Sequence, residues 1–146
     1  MKRIPTYSAR PADLHPQWHV MDASNETLGR MAVRIARTLQ GKDKPMYTAH
    51  QLTGDYVVVI NASRVKVTGR KLIQKTYYRH SGYVGNLKSF ILRDMLEQHP
   101  DRVIRLAVRG MLPTTRLGRD MLRRLKVYAG NTHPHEAQTG HSQEGK

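Results

Sequence analysis

The 146 residues carry 25 Lys and Arg against 11 Asp and Glu, a net charge of +14, and contain no Cys. That length suffices for one domain with a real core, and the lack of Cys excludes disulfides, thiolate catalysis and sulfur-bound zinc, which fits a reducing cytoplasm. The charge calls for a polyanionic partner; with no apolar run near the ~20 residues of a spanning helix and no basic amphipathic helix anchored by Trp or Phe, nucleic acid is favoured over a membrane.

The opening stretch, MKRIPTYSARPADLHPQ, lacks the apolar segment of a signal peptide and is broken by Pro5, Pro11 and Pro16. It reads as a mature N-terminus with an extended arm, residues 1–17, ahead of a single α/β RNA-binding domain, residues 18–130, and a polar C-terminal tail, residues 131–146. WHVMDA (Trp18–Ala23) and DYVVVINA (Asp55–Ala62) are short apolar runs, the second dominated by β-branched residues, as in strands covered on both faces. Between them, Thr27 stands where an N-cap belongs, Leu28, Met31, Ile35 and Leu39 share one side of a helix, and Gly41 follows as its C-terminal glycine. Val65–Gly69 is a further extended segment. Helices are predicted over Ser89–Gln98, ended by Pro100, over Asp101–Met111, ended by Pro113, and over Arg116–Leu125, with a last extended segment at Leu125–Gly130. Strands alternating with helices predict an α/β fold, a three-layer sandwich with a small, mostly parallel central sheet and helices on both faces.

The cations are not scattered. Arg30, Arg34 and Arg37 lie within about 60° of one another on the first helix, opposite its apolar side. A row of this kind is ordinarily a solvated face, but here Glu26 is the only acid within one turn, at i+4 to Arg30. Arg116, Arg119 and Arg123 repeat the arrangement, with Leu117, Met121 and Leu125 on the other side. From Tyr56 to Arg93 there is no acid at all, while Arg64, Lys66, Arg70, Lys71, Lys75, Arg79, Lys88 and Arg93 fall in that interval. Within it, KTYYRHSGYVGNLK (Lys75–Lys88) mixes cations with Tyr77, Tyr78, His80 and Tyr83 and with two glycines. Phosphate-binding charge, rings able to stack on unpaired bases and a backbone that can approach closely suit structured RNA better than B-DNA. Lys42, Lys44, Arg109, Arg124 and Lys126 complete the basic residues assigned to RNA.

Catalytic signals are weak. His133 and His135 flank Pro134 in the tail, where a metal would need more carboxylates or His at ligand spacing, so both are assigned to RNA contact or capping and no metal is expected. Asp55 and Asn61 stand at opposite ends of a strand, too far apart for a dyad. Asp22 follows the first strand, where open α/β sheets gather ligands, yet DASNETLG contains no phosphate-cradling motif, so Asp22 is expected to bond a turn or pair with an Arg. No ordered Ser, His and Asp set or glycine-framed nucleophile is present, and no catalytic residue or cofactor is assigned.

WHVMDASNETLGRMAVRIARTLQGK, TGDYVVVINASRVKVTGRKLIQKTYYRHSGYVG, RVIRLAVRGMLP and LGRDMLRRLKVYAGNTHPHEAQ together resemble the bacterial form of the large ribosomal subunit protein thirteen family, in order and almost without gaps from Trp18 to Gln138. The most specific pieces are Gly110–Pro113, Leu125–Gly130 and His133–His135. The resemblance implies a three-layer α/β fold, no enzymatic activity, and a place in the large subunit, in the cytoplasm, bound to large-subunit rRNA and neighbouring ribosomal proteins and entering early in assembly. Carried over, its RNA-facing parts are the Lys75–Lys88 loop, Pro113–Arg124 and the tail through His135. The chain departs from the family pattern at Thr114, Thr115 and Arg116 and at Val84 and Asn86. Neither a membrane nor a small-molecule substrate is expected. Alternative readings are a free-standing RNA-binding regulator or assembly factor and, more remotely, a metal-dependent nuclease using His133, His135 and Asp22.

Overall fold

The apolar run Tyr56–Ile60 forms the central strand, β2, of a three-stranded parallel sheet in the computed structural model, which describes residues 8–24 and 26–140. Residues 1–7 of the expected arm and 141–146 of the expected tail lie outside the described residues. β1 (Trp18–Asp22) pairs on one side of β2 with Trp18 opposite Tyr56, and β5 (Leu125–Val127) on the other with Leu125 opposite Val57. Helix α1 (Leu28–Gln40) crosses from β1 to β2.

Strand alternation divides the sheet. Val57, Val59, Leu125 and Val127 enter a core with Met31, Ile35 and Leu39 of α1, Leu92 and Met95 of α3 (Leu92–Gln98), and Val103, Ile104 and Val108 of α4 (Pro100–Arg109). α1 presents its predicted apolar side, and Gly41 ends it at φ 75°, a left-handed conformation that costs a glycine little. Thr27 occupies the N-cap position without a side-chain capping bond. The opposite face of the sheet carries Trp18 and Tyr56, whose rings stack at 4.4 Å, and meets the C-terminal segment, which ends in the one-turn helix α6 (Glu136–Thr139). Among the described residues, the second helical layer amounts to that single turn.

The region between residues 75 and 98 departs from expectation. Lys75–Lys88 is not an open loop, and the helix does not start at Ser89. After the one-turn α2 (Lys71–Gln74), β3 (Thr76–His80) and β4 (Leu87–Ile91) make an antiparallel hairpin, and α3 starts only at Leu92. Helical periodicity in Ser89–Gln98 competes here with the aromatic and β-branched pairs Tyr77–Phe90 and Thr76–Ile91, and cross-strand pairing prevails. The third helix begins at Pro100 and ends at Arg109, and α5 (Arg116–Arg123) ends before Leu125, which joins the sheet. Val65–Gly69 contributes one isolated parallel bridge, Lys66 with Thr27.

Candidate nucleic-acid interface

The exposed cations sort by whether the protein already holds them. On α1, Arg34 is paired with Glu26, and Arg37 lies 2.7 Å from Asp43. The expectation of an unneutralised row therefore fails at two of three positions. Glu26 lies eight residues before Arg34 and Asp43 six after Arg37, outside a one-turn window, yet the chain entering and leaving the helix brings both to its exposed side. These pairs are exposed, and such pairs contribute at most about 1 kcal/mol, so a phosphate can compete for either guanidinium. Arg30 has no carboxylate partner among the described residues and stands at the rim of a cleft with Lys66, Lys71 and Lys75. The fold thus brings together four cations spread over 46 positions of sequence.

The hairpin exposes a second set. Tyr78 and Tyr83 are 67% and 76% exposed, whereas Tyr77 is half-buried and packs against the core, with the Lys75 ammonium 5.2 Å from its ring centroid. Arg79 and Lys88 are exposed and directly opposite each other in the register. His80 Nδ1 accepts the Gly82 N–H at 2.9 Å, which holds the start of the turn. The Asn86 N–H donates to the Tyr83 carbonyl at 3.2 Å across a turn with Gly85 at φ 80°, leaving Val84 fully exposed at the tip. Arg70, beside α2, and Lys42, just after α1, are also exposed.

The third set lies on α4 and α5. Arg116 and Arg119 are exposed without carboxylate partners among the described residues, and Arg123 lies 3.1 Å from Asp120. Thr115 caps α5 by accepting the Gly118 N–H at 3.3 Å, which fixes the start of the helix. A Cβ at Gly118 would lie 1.8 Å from the Pro113 carbonyl oxygen, so only glycine lets the incoming loop pack on the helix. Arg109 belongs to a row with Arg102 and Arg105, which border one cleft with Leu122 of α5. Arg102 and Arg105 are not among the residues assigned from the sequence, although their i, i+3, i+7 spacing with Arg109 is the signal that marks the other basic helix faces.

Four further assigned residues are engaged by the protein itself. Lys44 bonds Asp55, a 6% exposed carboxylate that also accepts the Gln17 N–H at 2.8 Å and lies 3.1 Å from His19 Nε2. Burial pushes the Asp55 pKa up, but Lys44, the Gln17 amide and His19 outweigh it and hold the carboxyl below its ordinary range. Arg124 donates to the Gly54 carbonyl and lies 4.9 Å from the Tyr56 ring centroid. His135 Nε2 is hydrogen bonded to the Tyr128 hydroxyl at 2.8 Å and its ring lies 5.2 Å from Trp18, while His133 Nδ1 accepts the His135 N–H at 3.2 Å. Arg124, Tyr56, Trp18 and His135 thereby form a continuous run of cation–ring and ring–ring contacts. Lys126 is half-buried on the strand between Leu125 and Val127.

Asp22 accepts the Ser24 N–H at 2.9 Å and the Asn61 amide at 3.0 Å, and these bonds lower its pKa. It ties the ends of β1 and β2 together, with Asn61 held at φ 55°. Among the described residues no three His, Cys, Asp or Glu side chains converge as a metal-ligand set, and no helix is long and apolar enough to cross a membrane.

Residues 16–134 match the family model described as ribosomal protein L13. A protein of Thermotoga petrophila named large ribosomal subunit protein uL13 is 58% identical over 133 residues, covering 91% of this chain and 89% of its own. Proteins of the same name from Acidithiobacillus ferrooxidans and Francisella tularensis subsp. novicida are 55% and 53% identical, each alignment covering 91% of this chain and 94% of the relative.

Proposed function

The chain belongs to the ribosomal protein L13 family, and from that premise we propose that it is a structural, non-catalytic constituent of the large ribosomal subunit that binds and organises large-subunit rRNA, entering early in assembly. Its place is the ribosome in the cytoplasm, among neighbouring large-subunit proteins. The observation that carries the reading is the number of cations, from separate parts of the chain, that remain exposed with no carboxylate beside them: Arg30, Arg79, Lys88, Arg116 and Arg119 among the described residues. Like charges held near one another oppose folding of the isolated chain, and RNA phosphates remove that repulsion.

Arg supplies planar, two-pronged contacts to phosphate, and the exposed Tyr78 and Tyr83 supply faces for unpaired bases. The residues assigned to RNA from the sequence keep that role in this reading, except that Lys44, Arg124 and His135 act first by holding the scaffold. Binding of the purified chain to large-subunit and small-subunit rRNA over a range of salt concentrations tests the proposal. The expected result is a preference for large-subunit rRNA, with log K falling linearly as log salt rises. Equal affinity for both rRNAs would refute an organising role specific to the large subunit, and absence from the earliest large-subunit precursors would refute early entry.

A further inference from the structure

The cleft ringed by Arg30, Lys66, Lys71 and Lys75 has a feature that phosphate binding does not require. Its volume is about 770 Å³, and Val67, Leu106, Ala107 and Met111 line it together with the cations. Met111 remains 40% exposed in an otherwise aliphatic setting. Among the described residues, no Asp or Glu lines the cleft. A phosphate alone would be satisfied by the charged rim and would leave this apolar surface wet. A protein side chain would cover the apolar surface but leave four cations unanswered. A nucleotide with its base unstacked answers both, because the base has an apolar face and is joined to an anionic backbone.

We propose that the cleft between α1, α2 and α4 seats an unpaired nucleobase against Leu106, Ala107 and Met111, with its flanking phosphates held by Arg30, Lys66, Lys71 and Lys75. This deepens the rRNA-binding reading and rests on it. The occupant is a nucleotide extruded from a loop, bulge or junction, since a base inside an A-form helix cannot present its face.

Gly29 provides a clean probe. It lines the cleft in the first turn of α1, and a Cβ built there meets no atom within 4 Å. Gly29→Leu therefore adds a bulky side chain to the cleft wall at a position with open space for its Cβ, and replacing glycine within a helix favours folding. Methyl NMR of the full chain, labelled at methionine, is followed during titration with adenosine monophosphate and, separately, inorganic phosphate. The nucleotide is expected to shift the Met111 methyl resonance, phosphate at the same concentration to leave it in place, and Gly29→Leu to abolish the shift. Gly29→Leu is also expected to weaken rRNA binding about tenfold while leaving the salt slope unchanged, because no charge is removed. A Met111 resonance unmoved by the nucleotide, or wild-type rRNA affinity in Gly29→Leu, would overturn the base-binding cleft. Neither result touches the wider reading, which fails on a separate observation, the wild-type chain showing no preference for large-subunit rRNA.

Discussion

Arg79 and Lys88 face each other across the β3–β4 hairpin, both exposed, with no carboxylate partner for either among the described residues. Directly opposed like charges destabilise an antiparallel pair, so this register works against the free hairpin and in favour of a bound polyanion. Lys88→Glu places opposite charges in register and is expected to stabilise the hairpin by about 0.2–1 kcal/mol. The same change weakens rRNA binding. Amide exchange across residues 76–91, set beside binding titrations, measures the two effects together, and a variant that bound rRNA as well as the parent would remove the hairpin from the interface.

Arg119 and Arg124 lie five residues apart and are expected to behave differently. Arg116→Ala with Arg119→Ala removes two exposed, unpartnered cations, so stability should change little while the slope of log K against log salt falls by roughly 1.5–2. Arg124→Ala instead deletes the bond to the Gly54 carbonyl and the cation on the Tyr56 ring, costing about 2 kcal/mol of stability. Thermal denaturation and salt titration of both variants separate these roles, and a full salt slope in the double variant would exclude Arg116 and Arg119 from phosphate contact.

Asp55 sets an acid limit on the fold. Its folded pKa is depressed below the unfolded value of 3.8, so its contribution is fully present above that pH and is lost as the pH falls through the lower folded value. Asp55→Asn leaves Lys44 facing a neutral group and is expected to cost about 3 kcal/mol at pH 7. The variant should also show a shallower loss of stability below pH 3.8. Urea unfolding at pH 7 and at several values under pH 4 checks this, and parallel acid limbs for variant and parent would contradict it.

The run of contacts through Arg124, Tyr56, Trp18 and His135 can be read through the single Trp of the chain. His135→Ala removes a ring from the face of Trp18 and a bond from Tyr128, and should shift Trp18 emission to the red as water reaches the indole. Tyr128→Phe keeps the ring and loses only the hydroxyl bond, lowering stability by about 1 kcal/mol. Unchanged emission in His135→Ala would mean that the C-terminal segment does not rest on the sheet in solution.

Much of the scaffold is legible in the sequence because its signals are local and undiluted. β2 is a β-branched run, and α1 has both an apolar period and a terminal glycine. The hairpin was hidden because all five residues of β4 are exposed, leaving no alternation of burial for a pattern to report. The basic regions could be found from composition, but their use could not. Arg34 and Arg37 meet their acids through loop paths, Lys44 reaches Asp55 across the start of the sheet, and Arg102 and Arg105 form a row that was present in the letters and went unread. Tertiary packing sets Arg30 beside Lys66, Lys71 and Lys75 in the cleft, a juxtaposition that no spacing rule anticipates.

The most direct test is quantitative mass spectrometry across a sucrose gradient of lysate after a high-salt wash, measuring where the protein sediments and in what ratio to rRNA. One copy per mature large subunit, retained through the wash, is the expected result. Enrichment in immature particles or free fractions, with substoichiometric amounts in mature subunits, would contradict a structural constituent and point to an assembly factor or regulator.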